Sequence, residues 1–196
     1  MLIYASSCQG YFSEHGEAFI RSAEKCGHRV KVDMAEDFPE WREKLDYDED
    51  RIFSCWLRLL RLPEMLDRED VLILDIDSII NKPIKFDCDM ALFLRPWIAP
   101  WLENLQVLLT ASYWNMRAKP FAERVREKLL SQSNRWGDDQ ATVWQVYQEM
   151  GSRFDVLKLT QDFVCYNFDR DAPIWTCKGP ARKSNPVYLE RRVASC

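Results

Sequence analysis

The stretch Val71-Leu72-Ile73-Leu74-Asp75-Ile76-Asp77 carries the clearest signal for the fold. Four large apolar residues in a row predict a strand that is covered on both faces, which is typical of parallel sheets. Two aspartates follow at its carboxyl end, where open α/β sheets bind their ligands. Because residues two apart on a strand face the same side, we expect both carboxylates on one face of the sheet, about 6–7 Å apart.

The aspartate pair predicts a cationic partner. Two carboxylates at that separation repel each other by about 2–3 kcal/mol at an effective dielectric near 20. A hard divalent cation that bridges Asp75 and Asp77 to a phosphate group offsets this repulsion. The simpler alternative is that the two aspartates only cap the following turn.

The residues before this strand predict a strand–helix–strand unit. An apolar run over 2–5 predicts the first strand, and Ser13 is a candidate N-cap for a helix that ends near Gly27. Alternating apolar residues over 30–34 predict the second strand. Such a unit implies parallel strands joined by a right-handed crossover.

The rest of the chain continues to alternate between helices and strands. The sequence predicts helices at 52–66 (with Pro63 disturbing the last turn), 120–129 and 138–151, and strands at 107–109, 154–157 and 173–175. No internal repeat or linker interrupts this pattern. The predicted fold class is α/β, a single Rossmann-like domain with a central mixed, mostly parallel sheet flanked by helices.

Composition excludes several functional classes. The chain has 196 residues, of which 47% are hydrophobic and 30% charged, as in globular proteins. A net charge of −4 supplies no bulk positive field, so we expect no nucleic-acid partner. No apolar run approaches the roughly 20 residues of a membrane span. The seven cysteines are scattered without a CxxC pair, which predicts reduced thiols and a cytoplasmic location.

Four motifs occur in an order that is informative. They are Trp56-Leu57-Arg58, Asp75-Ile76-Asp77-Ser78, Trp136-Gly137-Asp138-Asp139-Gln140, and the tract from Lys178-Gly179 to Lys183. Together they resemble the nucleotide-sugar glycosyltransferases of the GT-A fold, especially the glycogenin and bacterial galactosyltransferase type. The resemblance implies one GT-A domain over 1–196, with a nucleotide-binding half at 1–80 and an acceptor and sugar half at 81–196.

The same resemblance implies an activity and assigns roles to residues. It implies metal-dependent transfer of a hexose from a UDP-sugar, UDP-glucose or UDP-galactose, to an acceptor that the sequence does not name. Asp77 would be the main ligand of Mn²⁺ or Mg²⁺, and Asp75 would hold the ribose, the metal or both. Asp139 and Gln140 would act at the transferred sugar. The other implied nucleotide and sugar contacts are Ala5, Ser6, Tyr11, Arg58, Asp138, Lys178, Gly179 and Lys183.

The C-terminal tract departs from the family pattern at one position. Relatives often carry a metal-binding histidine just before the basic tract, where this chain has Thr176-Cys177. Cys177 is therefore a candidate third metal ligand, although a thiolate is soft for Mn²⁺ and water is the alternative. Residues 176–192 hold five basic residues and one glutamate, a net charge of +4. This tract either closes over the diphosphate or is a solvated basic tail.

Two further interpretations remain open. The haloacid-dehalogenase-like phosphatases also place an Asp-x-Asp after an apolar strand, and Asp75 would then be the nucleophile. In that alternative 107–110 would be the second motif, Lys119 the lysine and Gly137-Asp138-Asp139 the acidic motif. However, the polar residues 132–135 precede this acidic motif, where that family usually has an apolar strand. The other interpretation is a binding module for nucleotide sugars that has no catalytic activity.

Some aromatic and histidine residues belong to no motif. Trp97, Trp101 and Trp114 fit either the core or an aromatic wall that stacks on an acceptor sugar. His15 and His28 have no partner at metal-ligand spacing, and we predict that both face solvent.

Overall fold

The computed structural model describes residues 1–44, 50–95, 105–131, 137–177 and 180–195. The strands within these ranges are β1 (Leu2–Ser7), β2 (Arg29–Met34), β3 (Val71–Leu74), β4 (Ser78–Ile80), β5 (Met90–Leu94), β6 (Val107–Trp114), β7 (Val156–Leu159), β8 (Val164–Cys165) and β9 (Ile174–Thr176). The helices are α1 (Gln9–Lys25), α2 (Pro39–Lys44), α3 (Asp50–Leu66), α4 (Lys119–Ser131), α5 (Asp138–Met150), α6 (Pro180–Lys183) and α7 (Pro186–Ser195).

The strands form two sheets in the described part of the chain. The larger sheet has the order β2-β1-β3-β6-β5-β7, and β6 runs antiparallel to both of its neighbours while the other pairs are parallel. The smaller sheet has the order β4-β9-β8. This arrangement confirms the predicted α/β class and the mixed, mostly parallel sheet.

Strand β3 is covered on both faces, as its sequence predicts. Val71 and Ile73 pack into one apolar cluster with α3, α4 and α5, whose largest members include Trp56 and Trp114. Leu72 and Leu74 point into the opposite cluster, which packs against α1. Each fully buried side chain of this kind contributes about 1.5–3 kcal/mol. Trp114 thus belongs to the core rather than to an acceptor wall, while Trp97 and Trp101 lie outside the described residues.

Several element boundaries differ from the sequence prediction. Helix α1 begins at Gln9, with Cys8 as its N-cap, and the Ser13 hydroxyl donates to the Gln9 carbonyl at 2.8 Å inside the helix. Gly27 follows this helix with φ 78°, as predicted. Pro63 lies inside α3, which continues to Leu66 because the buried residues of its last turn pack in the core.

Helix hydropathy and the state of the cysteines bear on the predictions drawn from composition. Within the residues described, no helix has the length and apolar character that a membrane crossing requires. Cys8, Cys26, Cys55, Cys88, Cys165 and Cys177 carry free thiols.

Candidate active site

The two aspartates lie in a turn and not on the strand itself. Strand β3 ends at Leu74, and the backbone N–H of Ser78 donates to the Asp75 carbonyl at 3.0 Å to close the turn before β4. Ile76 packs into the core between the two aspartates. The expectation that Asp75 and Asp77 extend from one strand face is therefore wrong, because the strand ends before them and each carboxylate faces its own cation.

Arg58 on α3 joins Asp75 to the start of α5. Its Nη1 lies 2.5 Å from Asp75 Oδ1, its Nη2 lies 3.7 Å from Asp139 Oδ2, and its Nε donates to the Cys55 carbonyl at 3.1 Å. The guanidinium is buried, and burial alone would lower its pKa, but the carboxylates of Asp75 and Asp139 raise the pKa above its ordinary value. The structure thus brings three of the predicted site residues together.

The first turn of α5 carries Asp138, Asp139 and Gln140. Gly137 is the N-cap residue with φ 91°, a conformation that favours glycine. Asp138 and Asp139 therefore stand in the first turn rather than at the cap, at the end of the helix that attracts negative charge. Asp139 and Gln140 are buried, and Gln140 Oε1 accepts from Arg95 Nη2 at 2.8 Å.

The carboxyl end of β1 lies beside α3. Ala5 is fully buried in the core. The Ser6 hydroxyl donates to the carbonyl of Ser54 and ties β1 to α3. Tyr11 follows in the first turns of α1, and its ring lies 3.8 Å from the ammonium of Lys183.

The basic C-terminal tract returns to the aspartate turn. Strand β9 pairs with β4, with Thr176 opposite Ser78, so the chain leaves β9 next to Asp77. Lys183 at the end of α6 places its Nζ 3.8 Å from Asp77 Oδ2. This position agrees with a tract that lies over the turn rather than with a solvated tail. Lys178 and Gly179 lie outside the described residues.

Tyr188 and His15 anchor this tract below the turn. The Tyr188 hydroxyl donates to the Asp77 carbonyl at 3.1 Å and lies 3.2 Å from His15 Nδ1. His15 is buried, and this burial lowers its pKa to about 4, so the ring is neutral at pH 7. The expectation of solvent-facing histidines is wrong for both, since His28 is partly buried and accepts from the Ile84 N–H at 3.1 Å.

The donor atoms at the turn suit a hard cation. In the part of the chain that is described, no group of three or more His, Cys, Asp or Glu residues forms a ready-made metal site. Mg²⁺ is commonly bound by one or two carboxylates together with phosphate oxygens and water, so the oxygen donors of Asp75 and Asp77 are of the chemical type that suits such an ion. Cys177 fits poorly, because burial and the nearby Asp77 raise its pKa to about 12 and keep it a thiol.

In the phosphatase alternative, the proposed lysine and the proposed nucleophile lie at opposite ends of β3. Lys119 pairs with Asp67, which precedes β3, whereas Asp75 follows the other end of that strand. Strand β6, the candidate for the second phosphatase motif, runs antiparallel to β3. Lys119 therefore cannot serve a reaction at Asp75 in this arrangement.

Comparison with known proteins identifies the fold. No protein-family model matches the sequence, and no curated protein matches it. Among solved structures, a glycosyltransferase involved in glycosylation of the major capsid of PBCV-1 matches with a TM-score of 0.65 and 15% identity, over 99% of this chain and 98% of that one. The galactosyltransferase LgtC, solved with donor and acceptor sugar analogues, matches with a TM-score of 0.59 and 12% identity, over 99% of this chain and 96% of that one.

A third match covers only part of its counterpart. The glycosyltransferase GlyE of Streptococcus pneumoniae TIGR4 has a TM-score of 0.61 and 14% identity, over 98% of this chain and 60% of its own. At these identities the likeness establishes architecture. This chain has the GT-A glycosyltransferase fold that the resemblance of its motifs predicts.

Proposed function

We propose that the protein is a metal-dependent glycosyltransferase that moves a hexose from a UDP-sugar, UDP-glucose or UDP-galactose, to an acceptor. The observation that carries the proposal is the Arg58 guanidinium, which joins the Asp75 turn to Asp139 at the carboxyl end of β3. Motifs far apart in the sequence meet there. The GT-A fold of the neighbouring structures supports the same activity.

The charges around the turn suit a diphosphate leaving group. When bound at Asp75 and Asp77, Mn²⁺ or Mg²⁺ would supply Lewis-acid neutralisation of the departing diphosphate. Lys183, which lies beside Asp77, adds a positive charge from the C-terminal tract. We propose that Tyr11, whose ring faces the same ammonium, contacts the nucleoside.

Arg58 also compensates the negative charge of the carboxylates at this site. It faces Asp75 and Asp139 together, while Lys183 faces Asp77, so the carboxylates have counter-charges before any ligand binds. Arg58 holds the Asp139 carboxylate at the first turn of α5, next to Gln140, where we assign both side chains to the transferred sugar. We also propose a cytoplasmic location, because the described cysteines carry free thiols, which are typical of reducing compartments.

Binding of UDP tests the proposal. We expect UDP with Mn²⁺ to raise the Tm by about 5–10 °C at a hundred times its Kd, since such binding contributes about 2.7 kcal/mol. In EDTA the shift should nearly vanish, because no divalent cation then bridges the carboxylates to the diphosphate, and Arg58 and Lys183 are already paired with Asp75 and Asp77. Uridine, which lacks phosphates, is the matched control and should give a small shift in both buffers. Equal stabilisation by UDP in both buffers would exclude the metal bridge.

A further inference from the structure

Arg95 is a buried connection that the motifs do not include. It directly follows β5, and its backbone N–H donates to the Gln106 carbonyl at 2.9 Å. Its Nε donates to the Leu105 carbonyl at 2.6 Å, and its Nη2 donates to Gln140 Oε1 at 2.8 Å. One guanidinium thus joins the end of β5, the residues before β6 and the first turn of α5.

The chemistry of arginine decides which way the Gln140 amide is turned. A guanidinium has five donors and no acceptor, so the atom that faces it must be the amide oxygen and not the amide nitrogen. Arg95 therefore occupies Oε1, and the two N–H groups of Nε2 are left for other acceptors. A glutamine held in this way acts as a hydrogen-bond donor.

The surroundings of the Arg95–Gln140 hydrogen bond are largely shielded from solvent. Gln140 is buried, and Arg95 is partly buried. Burial lowers the pKa of Arg95, yet an arginine stays charged at neutral pH. The Leu105 side chain also lies close to Gly137, the N-cap of α5: a Cβ built on this glycine would meet Leu105 at 3.4 Å, an ordinary contact distance. The segment that anchors Arg95 and the helix that carries Gln140 are therefore packed against each other.

We propose that Arg95 is a positioning residue that turns the Gln140 amide so that its NH₂ group donates to an oxygen of the transferred sugar. The inference rests on the proposed glycosyltransferase function. A fixed donor favours the geometry of the reacting sugar without contributing much to overall donor affinity. Loss of Arg95 should therefore lower kcat more than it raises KM.

The test is a double-mutant cycle on donor hydrolysis, with UDP-glucose and UDP-galactose as probes and Mn²⁺ present. Arg95→Met and Gln140→Met are each expected to lower kcat by about 30-fold with KM within about threefold of wild type. The double variant should be no more than about threefold slower than the slower single variant, since Arg95 and Gln140 act together and either substitution already removes their joint effect. Arg117→Met, an exposed arginine beyond β6, is the matched control and should leave kcat unchanged.

Further variants separate positioning from folding. Arg95→Lys keeps one donor group and should recover part of kcat. Gln140→Glu keeps oxygens for Arg95 and loses only the NH₂ group, so it should match the kcat loss of Gln140→Met at a Tm no lower than wild type. This variant keeps the test decisive even if Arg95→Met does not fold.

The outcomes distinguish the two proposals. Two results would overturn the positioning role while leaving the proposed function in place, provided that the wild type is active. One is a double variant whose kcat loss is the product of the two single losses, and the other is a Gln140→Glu kcat within threefold of wild type. A wild type that turns over neither nucleotide sugar overturns the proposed function, and this inference with it.

Discussion

Asp77→Asn is expected to lower donor turnover by at least about a hundredfold and to abolish the Mn²⁺-dependent stabilisation by UDP. Asparagine keeps the shape of the side chain but loses the charge that holds a divalent cation. Lewis-acid neutralisation of a leaving diphosphate is worth several kcal/mol, and each 1.36 kcal/mol is a factor of ten in rate. Steady-state release of UDP measures the first effect, and thermal unfolding with UDP and Mn²⁺ measures the second.

The same substitution should leave the metal-free fold nearly unchanged. Asp77 is buried, but its partner Lys183 is partly exposed and lies at the long distance of 3.8 Å, so losing this pair should cost about 1 kcal/mol. Repulsion between Asp75 and Asp77 offers no gain on substitution, since each carboxylate already has its own cation. Asp171→Asn, which removes an exposed partner of Lys82, is the matched control. Turnover by Asp77→Asn within a few-fold of wild type would remove Asp77 from the site.

Arg58→Met is expected to lower the free energy of unfolding by about 3–5 kcal/mol and to reduce donor turnover below detection. The substitution keeps the length of the side chain but leaves Asp75 and the buried Asp139 without their shared cation, which is the costly way to break a buried ion pair. Urea unfolding measures the change in free energy. Arg61→Met on the same helix is the control, since Arg61 is more exposed and its partner Asp33 also faces Lys31, and it should cost about 1 kcal/mol.

A second substitution should rescue part of the Arg58→Met loss. Adding Asp139→Asn removes one of the two carboxylates that lose Arg58, so the double variant should unfold at a higher urea concentration than Arg58→Met alone. Activity should not return, because Asp139 is assigned to the transferred sugar. If Arg58→Met costs no more than Arg61→Met, Arg58 does not hold the site together.

The elements that position the site could be predicted from local sequence. The apolar run of Val71–Leu74 predicts a doubly covered strand, and its alternate side chains do pack into two clusters. Asp138 and Asp139 predict the start of α5, which begins at Asp138. These features are local, because period, capping and glycine conformation each depend on a few neighbouring residues.

The contacts that assemble the site could not be predicted in the same way. Arg95 and Gln140 are 45 residues apart, and Tyr188 and His15 are 173 apart, so no spacing rule links either pair. Strand alternation, if extended past Leu74, predicts both aspartates on one strand face, but the hydrogen bond from the Ser78 N–H to the Asp75 carbonyl turns the chain there instead. Tertiary packing, rather than local pattern, decides these features.

The most direct test of glycosyl transfer is the release of UDP from UDP-glucose and UDP-galactose by the wild-type protein, followed over time with Mn²⁺ or with EDTA. We expect release with Mn²⁺ from at least one of the two donors, and loss of that release in EDTA. Binding of UDP with Mn²⁺ but no release from either donor would contradict the proposed glycosyl transfer and leave a binding module in its place.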